Sequence, residues 1–187
     1  MRSNHQTSDI NSQETREPED GRLVLADGGQ LSVRPIDARD SAALARLFDR
    51  LSPQSRYRRF LSPKPRLSAR ELARLTDIDH VGHDALAAVD RRDGSIVGVG
   101  RYAREPARPW AAHIAVTVAD ELQGRGIGTA LARLAIERAR ANGYTLLVAS
   151  TFWENRPARA LLRRLGFRAT GSEGAVIELE LDLAEAG

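Results

Sequence analysis

Three glycines fall within five positions in Gln123-Gly124-Arg125-Gly126-Ile127-Gly128, directly before a stretch with helical apolar spacing. Glycine lets a backbone approach a ligand closely and turn its amides inward. A helix starting there adds free N–H groups and the positive end of its dipole. Together these make a site for an anion such as a pyrophosphate; the plain alternative is a strand–helix connection. Two nucleotide-binding patterns fail on the residues. A P-loop requires Gly-Lys-Ser/Thr, and here Gly128 is followed by Thr129 with no lysine. A dinucleotide fold wants an acid about 20 residues beyond its glycines, where this chain has Val148.

The strand expected over Ala111 to Ala119 carries the second chemical signal. Ala112, Ile114, Val116 and Val118 form one apolar face, and Ala111, His113, Ala115, Thr117 and Ala119 form a small or polar one. Pleating sets His113 on the same open face as Ala115, about 6.6 Å along the strand. Histidine titrates near neutrality and can take a proton directly or through one water. Two roles fit it, a general base or a structural histidine satisfied by a neighbour; the base is the expectation carried forward.

The elements that position these residues follow from patterning. Leu23-Val24-Leu25, Asp27-Gly28-Gly29 and Leu31-Ser32-Val33 predict a hairpin. Asp37 is a suitable N-cap for a helix bearing Leu44, Leu47, Phe48 and Leu51, which Ser52-Pro53 ends. The Arg56-Tyr57-Arg58-Arg59-Phe60 segment is read as helical, flanking a cleft with Tyr57 and Phe60 packed inward rather than binding RNA. Ser68 to Glu71 is a capping box opening a further helix. Strands follow over Ala85–Val89, Ile96–Tyr102 and Ala111–Ala119, then a helix over Ile127–Ala141 that stops at Asn142-Gly143. Leu146 to Ala149 is apolar on both faces, as in a central strand. Asn155 caps a helix carrying Ala158, Leu161, Leu162 and Leu165, and two strands close the chain. The order ββ-ααα-βββ-α-β-α-ββ is an α/β or α+β sheet with helices on both faces.

Composition narrows the field. The chain has 187 residues, 42% apolar and 5% aromatic, enough for one domain that hides about 70% of its unfolded surface. It has no cysteine, which excludes disulfides, thiolate zinc sites, iron–sulfur clusters and cysteine nucleophiles. No apolar run approaches the ~18 residues of a membrane span, and a cytoplasmic location without membrane contact is expected. Residues 1–20 hold two basic and five acidic side chains and little apolar content, predicting a disordered tail before a domain over 21–187. The net charge of +3 is too small to indicate nucleic acid. Lys64 is the sole lysine; arginine forks suit phosphate, though biased codon usage explains them as well. Asp77, Asp79, His80, His83 and Asp84 match no metal-ligand spacing and are read as a polar loop, with no metal expected.

The turn Gln123-Gly124-Arg125-Gly126-Ile127-Gly128 resembles the Q/R-x-x-G-x-G/A signature of the GCN5-related N-acetyltransferases, the GNAT superfamily. Asn155-x-x-Ala158-x-x-Leu161-Leu162-x-x-x-Gly166-Phe167 resembles the second common motif of that family, and the likeness runs from about residue 30 to 182. It implies a mixed, mostly antiparallel central sheet of about seven strands with splayed middle strands. It further implies acetyl-CoA as donor, held by Val116, Val118, Gln123, Gly124, Arg125, Gly126, Ile127, Gly128, Thr129 and Asn155. A narrower likeness, through Leu31-x-Val33-Arg34-Pro35-Ile36 and Leu51 to Phe60, is to the acetyltransferase domain of Pat-type bacterial protein-lysine acetyltransferases. It implies a protein lysine as acceptor. Those enzymes have a glutamate where this chain has His113, and many relatives have a tyrosine where this chain has Leu162. These departures keep open a catalytically silent acyl-CoA-binding module, and the undiagnostic acceptor residues keep open acetylation of a small amine. Of the last-helix arginines Arg156, Arg159 and Arg163, or Arg125, one is expected on the ribose phosphate of CoA.

Overall fold

The computed structural model describes residues 16–19, 21–25 and 28–184. Its strands are β1 (Arg16–Glu19), β2 (Arg22–Val24), β3 (Gln30–Pro35), β4 (His83–Asp90), β5 (Ile96–Glu105), β6 (Arg108–Val118), β7 (Leu146–Phe152), β8 (Arg168–Glu173) and β9 (Val176–Asp182). Its helices are α1 (Ser41–Asp49), α2 (Pro53–Phe60), α3 (Ala69–Thr76), α4 (Ile127–Ala141) and α5 (Arg156–Arg164). Among the described residues one nine-stranded sheet runs in the order β1-β2-β3-β4-β5-β6-β7-β9-β8. Neighbours are antiparallel except β6 and β7, which run parallel.

The sheet exceeds the expected seven strands partly at its edge. Arg16–Glu19, inside the segment expected to be a tail, pair with β2 as a first strand. Residues 1–15 and 20, the remainder of that expectation, lie outside the described residues. At the next boundary Asp37 caps a short 3₁₀ turn over Ala38–Asp40 instead of the long helix. Asp40 accepts the fork of Arg34 and the Asp37 amide, so its carboxylate is already engaged where α1 begins.

Helix α4 is pressed against the middle of the sheet. Ile127, Leu131 and Ala135 are buried along its inner stripe. Fully burying each of the larger two contributes about 1.5–3 kcal/mol. The close approach requires Gly100 on β5, where a Cβ would lie 2.7 Å from the Leu131 carbonyl oxygen. On the opposite face, α1 and α3 cover β4 and β5 through Leu44, Leu47 and Leu75.

The β6–β7 pairing is brief. It joins Ala111 to Leu146, Ala112 to Leu147 and His113 to Val148, and no further pairs follow. Beyond His113 the two strands diverge into a fork, β6 toward the glycine turn and β7 toward α5.

Candidate active site

The fork opens a cleft of about 690 Å³. Its walls are β6 from Ile114 to Val118, β7 from Ala149 to Thr151, the turn before α4 and the start of that helix, one side of α5 as far as Arg164, Ser55, Arg58 and Arg59 of α2, and Leu51 before it. The Ala119 amide donates to Val97 of β5, 2.9 Å away. Backbone direction alternates along an antiparallel strand, so Ile114, Val116 and Val118 turn their N–H and C=O groups the other way, into the fork. The last pair of the β6–β7 ladder, at His113, is made through its flanking residues and takes the Ile114 amide, and past it no strand pairs with this edge of β6. The edge that remains, at Val116 and the Val118 amide, suits an extended arm that itself carries amides.

The glycine turn closes one end of this row. Gly124 has φ 77° and Gly126 φ 82°, a left-handed backbone that side-chained residues rarely adopt. Gly126 is the N-cap of α4 and supplies no capping side chain. The first helical bond runs from the Ala130 amide to the Gly126 carbonyl, at 3.1 Å. The amides of Ile127, Gly128 and Thr129 precede it and point out of the helix end. Gln123 does not reach outward; its Nε2 donates to Val118 O and Asp120 Oδ1, both at 3.1 Å, bracing the turn. A Cβ at Gly128 would meet nothing nearer than Leu161 at 3.6 Å, so its missing side chain leaves room in the cleft.

Of the residues expected to hold the donor, Val116, Val118, Gln123, Gly124, Arg125, Gly126, Gly128, Thr129 and Asn155 all line the cleft. Ile127 differs: its side chain is buried beneath the sheet, leaving only its amide to serve. Asn155 spends its carboxamide on structure, accepting from the Ala158 amide at 3.5 Å and donating to Thr151 Oγ1 at 3.1 Å. Among the arginines of α5, Arg164 lines the cleft and Arg156, Arg159 and Arg163 do not. Arg159 instead stacks on Trp153, 3.8 Å from the ring centre. Leu162 lines the cleft where relatives are expected to have tyrosine, and no hydroxyl replaces it on that helix.

His113 stands at the crotch of the fork, outside the cleft lining, with Ala115 as the first residue of its face inside. Its Nε2 is hydrogen-bonded to Glu105 Oε2. In the neutral ring, donation from Nε2 to that carboxylate leaves Nδ1 as the acceptor. Glu105 also approaches Arg108 at 3.7 Å, and Arg108 donates to Glu180 at 2.8 Å. Sequence reasoning missed Glu105, because a bulge at the β5–β6 turn shifts the register between Arg104 and Glu105.

Helix α2 crosses the fork on the His113 face. Ser52 caps it, and Arg56 pins it by donating to the carbonyls of Phe48, Asp49 and Pro65. Tyr57 is not packed inward as expected. It lies flat on Phe152, centroids 4.7 Å apart, with its outer side exposed. Phe60 does pack, edge-on against Phe48. Arg59 reaches β6, where its Nε donates to Thr117 Oγ1 at 3.1 Å. Behind it Arg101 of β5 is only 7% exposed and touches His83 Nε2 at 3.1 Å and the Leu75 carbonyl at 3.2 Å. Burial draws Arg59 down to about 10; burial, then the charge of Arg59, draws Arg101 down to about 9. Burial and the charge of Arg101 draw His83 down to about 4, so its ring is neutral and accepts. The remaining polar residues of that loop are engaged structurally: Asp84 holds His80 and Arg138, and Asp79 caps the amides of Val81 and His83.

A sheet split at parallel central strands, with a glycine turn feeding a helix into the split, defines an acetyltransferase scaffold. The sequence model of the Acetyltransferase (GNAT) family matches residues 44–167, and the chain belongs to that family. It is 35% identical over 145 residues to Acetyltransferase PA5475 of Pseudomonas aeruginosa, covering 76% of this chain and 77% of that protein. It is 30% identical over 132 residues to Acetyltransferase Pat of Mycolicibacterium smegmatis, covering 71% of this chain but 39% of that longer protein. The crystal structure of the GNAT domain of S. lividans PAT superposes with a TM-score of 0.79 at 34% identity, covering 87% of this chain and 96% of that one. The protein is an N-acetyltransferase of the GNAT fold. No helix among the described residues is long and apolar enough to cross a membrane.

Proposed function

We propose that the chain transfers the acetyl group of acetyl-CoA directly to a primary amine in a ternary complex, and that the amine is a protein lysine. The observation that carries the donor half is the edge of β6 at Val116 and Val118, with which no strand pairs past the fork, leading into the bare amides at the start of α4. Those amides and the helix dipole would hold the pyrophosphate, with Arg125 lining the same end. The row on β6 would pair with the amide-bearing arm, and a backbone amide near Val118 would meet the developing oxyanion. The thioester supplies the acetyl group; the residues supply position and proton handling.

A free lysine is about 99.9% protonated at pH 7, so removing its proton is a real barrier. His113 would take that proton on Nδ1, through one water, while Glu105 holds the ring from its other nitrogen. The nitrogen then bonds to the acetyl carbon as the carbon–sulfur bond breaks; it gives its second proton to solvent water, and the thiolate takes one back from that water, since Leu162 offers none. A protein acceptor is supported by the likeness to Pat domains and by the open position of His113 at the mouth. A cytoplasmic location belongs to the same reading, as a cysteine-free chain suits a reducing compartment. A second reading, acetylation of a small amine, is favoured by the cations in the α2 wall.

Calorimetry with CoA tests the donor half, and heat below detection at millimolar CoA ends the reading. Thiol release from acetyl-CoA with an acyl-CoA synthetase and with a panel of small amines then separates the two acceptors.

A further inference from the structure

Arg59 and Arg101 form the least explained feature of the α2 side. Among the described residues neither guanidinium is paired with a carboxylate: Arg59 has a threonine hydroxyl, and Arg101 a neutral imidazole and a carbonyl. The charge of Arg59 adds to burial in disfavouring the charge on Arg101, and apolar side chains line the cavity that both share. A buried cation without a counter-charge is costly, as Arg101 is, and the part-buried Arg59 beside it, packed over the Phe60 ring, adds a second positive charge. Burial of this kind persists where an anion visits. Arg59, Thr117 and Leu51 line both the main cleft and a small cavity in front of Arg101. That cavity holds about 30 Å³, room for two water-sized oxygens but not for a tetrahedral phosphate.

We propose that Arg59 and Arg101 form a carboxylate subsite, so that the preferred acceptor is a primary amine carrying a carboxylate on the same molecule. The subsite faces Thr117, on the face of β6 that also bears His113, across the strand from the side covered by α4. It therefore serves the acceptor and not the phosphates of the donor. A guanidinium presents a planar fork that matches two carboxylate oxygens. Two chemical sources supply such an acceptor: a free amino acid, or a peptide lysine with an acidic neighbour. This inference rests on the acetyltransferase reading of the cleft.

The test compares matched acceptors with and without the carboxylate: L-lysine against cadaverine, and peptides with lysine beside glutamate against the same peptides with glutamine. Wild-type kcat/KM is expected to favour the carboxylate member of at least one pair by tenfold or more. Preference within the free pair identifies an amino acid, and preference within the peptide pair identifies an acid-flanked lysine. Arg59→Met is expected to bring the ratio close to one, and Arg59→Lys to keep part of it. Where Arg59→Met fails to fold, sodium acetate replaces it as probe of the wild-type protein. Acetate is expected to compete with the acceptor and not with acetyl-CoA. Thiol release equal within both pairs overturns the subsite while leaving the acetyltransferase standing. Competition of acetate with acetyl-CoA alone overturns it as well, and no thiol release with any amine overturns both.

Discussion

The two sides of the fork are built from different materials. The α4 side is backbone: a strand edge with which no strand pairs past the fork, two left-handed glycines and a helix end with no capping side chain. The α2 side is side chains: His113 on Glu105, Arg59 on Thr117, Arg101 on His83. In the proposed function, backbone groups would read what every acyl-CoA shares, tolerating substitution because each residue offers the same amide. Side chains would read what distinguishes one acceptor from another. On that proposal a constant donor half lies beside an acceptor half that single substitutions can redirect.

The sharpest way to break this contrast is His113→Ala, expected to lower kcat by about 10²–10³-fold, within the range for a positioned base. Acetylation rates across pH with CoA affinity measured alongside check it; an unchanged rate profile removes the histidine from the chemistry. Gly126→Val attacks the other half. A β-branched residue at φ 82° is strained, and the turn must reshape, so affinity for CoA is expected to fall about 100-fold, or about 2.7 kcal/mol. Calorimetry on folded protein, confirmed by circular dichroism, reads that loss. Glu105→Gln removes the carboxylate but not the hydrogen-bonding shape, and about a tenfold drop in kcat at unchanged CoA affinity is expected. Gln123→Ala sharpens the comparison from the donor side. It removes only a brace on the turn, so KM for acetyl-CoA is expected to rise about threefold, the net value of one hydrogen bond.

The smallest effect is on stability against pH. The folded His83 ring holds a proton only below about 4, whereas an unfolded histidine does so below about 6.5. The unfolded chain binds the extra proton between those values, so His83 lowers stability progressively as pH falls from about 6.5 to about 4. Urea melts of His83→Gln across that window are expected to show a shallower decline than wild type. The groups around His83 are Asp79, Asp84, His80 and Arg101, and the substitution leaves all four in place.

The same division of materials decides how much was legible in the sequence. Gly124, Gly126 and Gly128 lie together in the chain, and the helix they open follows at once. Alternation along 111–119 separated His113 from Val116 and Val118 correctly, because pleating is local. The acceptor wall is assembled over long separations, with Arg59 lying 58 residues from Thr117 and Arg101 lying 18 from His83. No periodicity links such residues. One signal was available: Arg101 interrupts the otherwise apolar run Ile96–Tyr102, and a cation in a buried strand calls for an explanation. The edge strand at Arg16–Glu19 had no such signal, since three charged residues and Pro18 acquire strand form only by borrowing the hydrogen bonds of β2.

One small fastening has a kinetic consequence. The Ser52 amide donates to Asp120 Oδ2 at 3.1 Å, and Arg50 pairs with Glu121, tying the corner between α1 and α2 to the segment that leads into the glycine turn. If the turn holds the donor as proposed, a nucleotide gripped there would steady the corner, and with it the wall proposed to receive the amine. Substrates are then expected to add in compulsory sequence, the thioester before the nucleophile, and product-inhibition patterns would carry that signature.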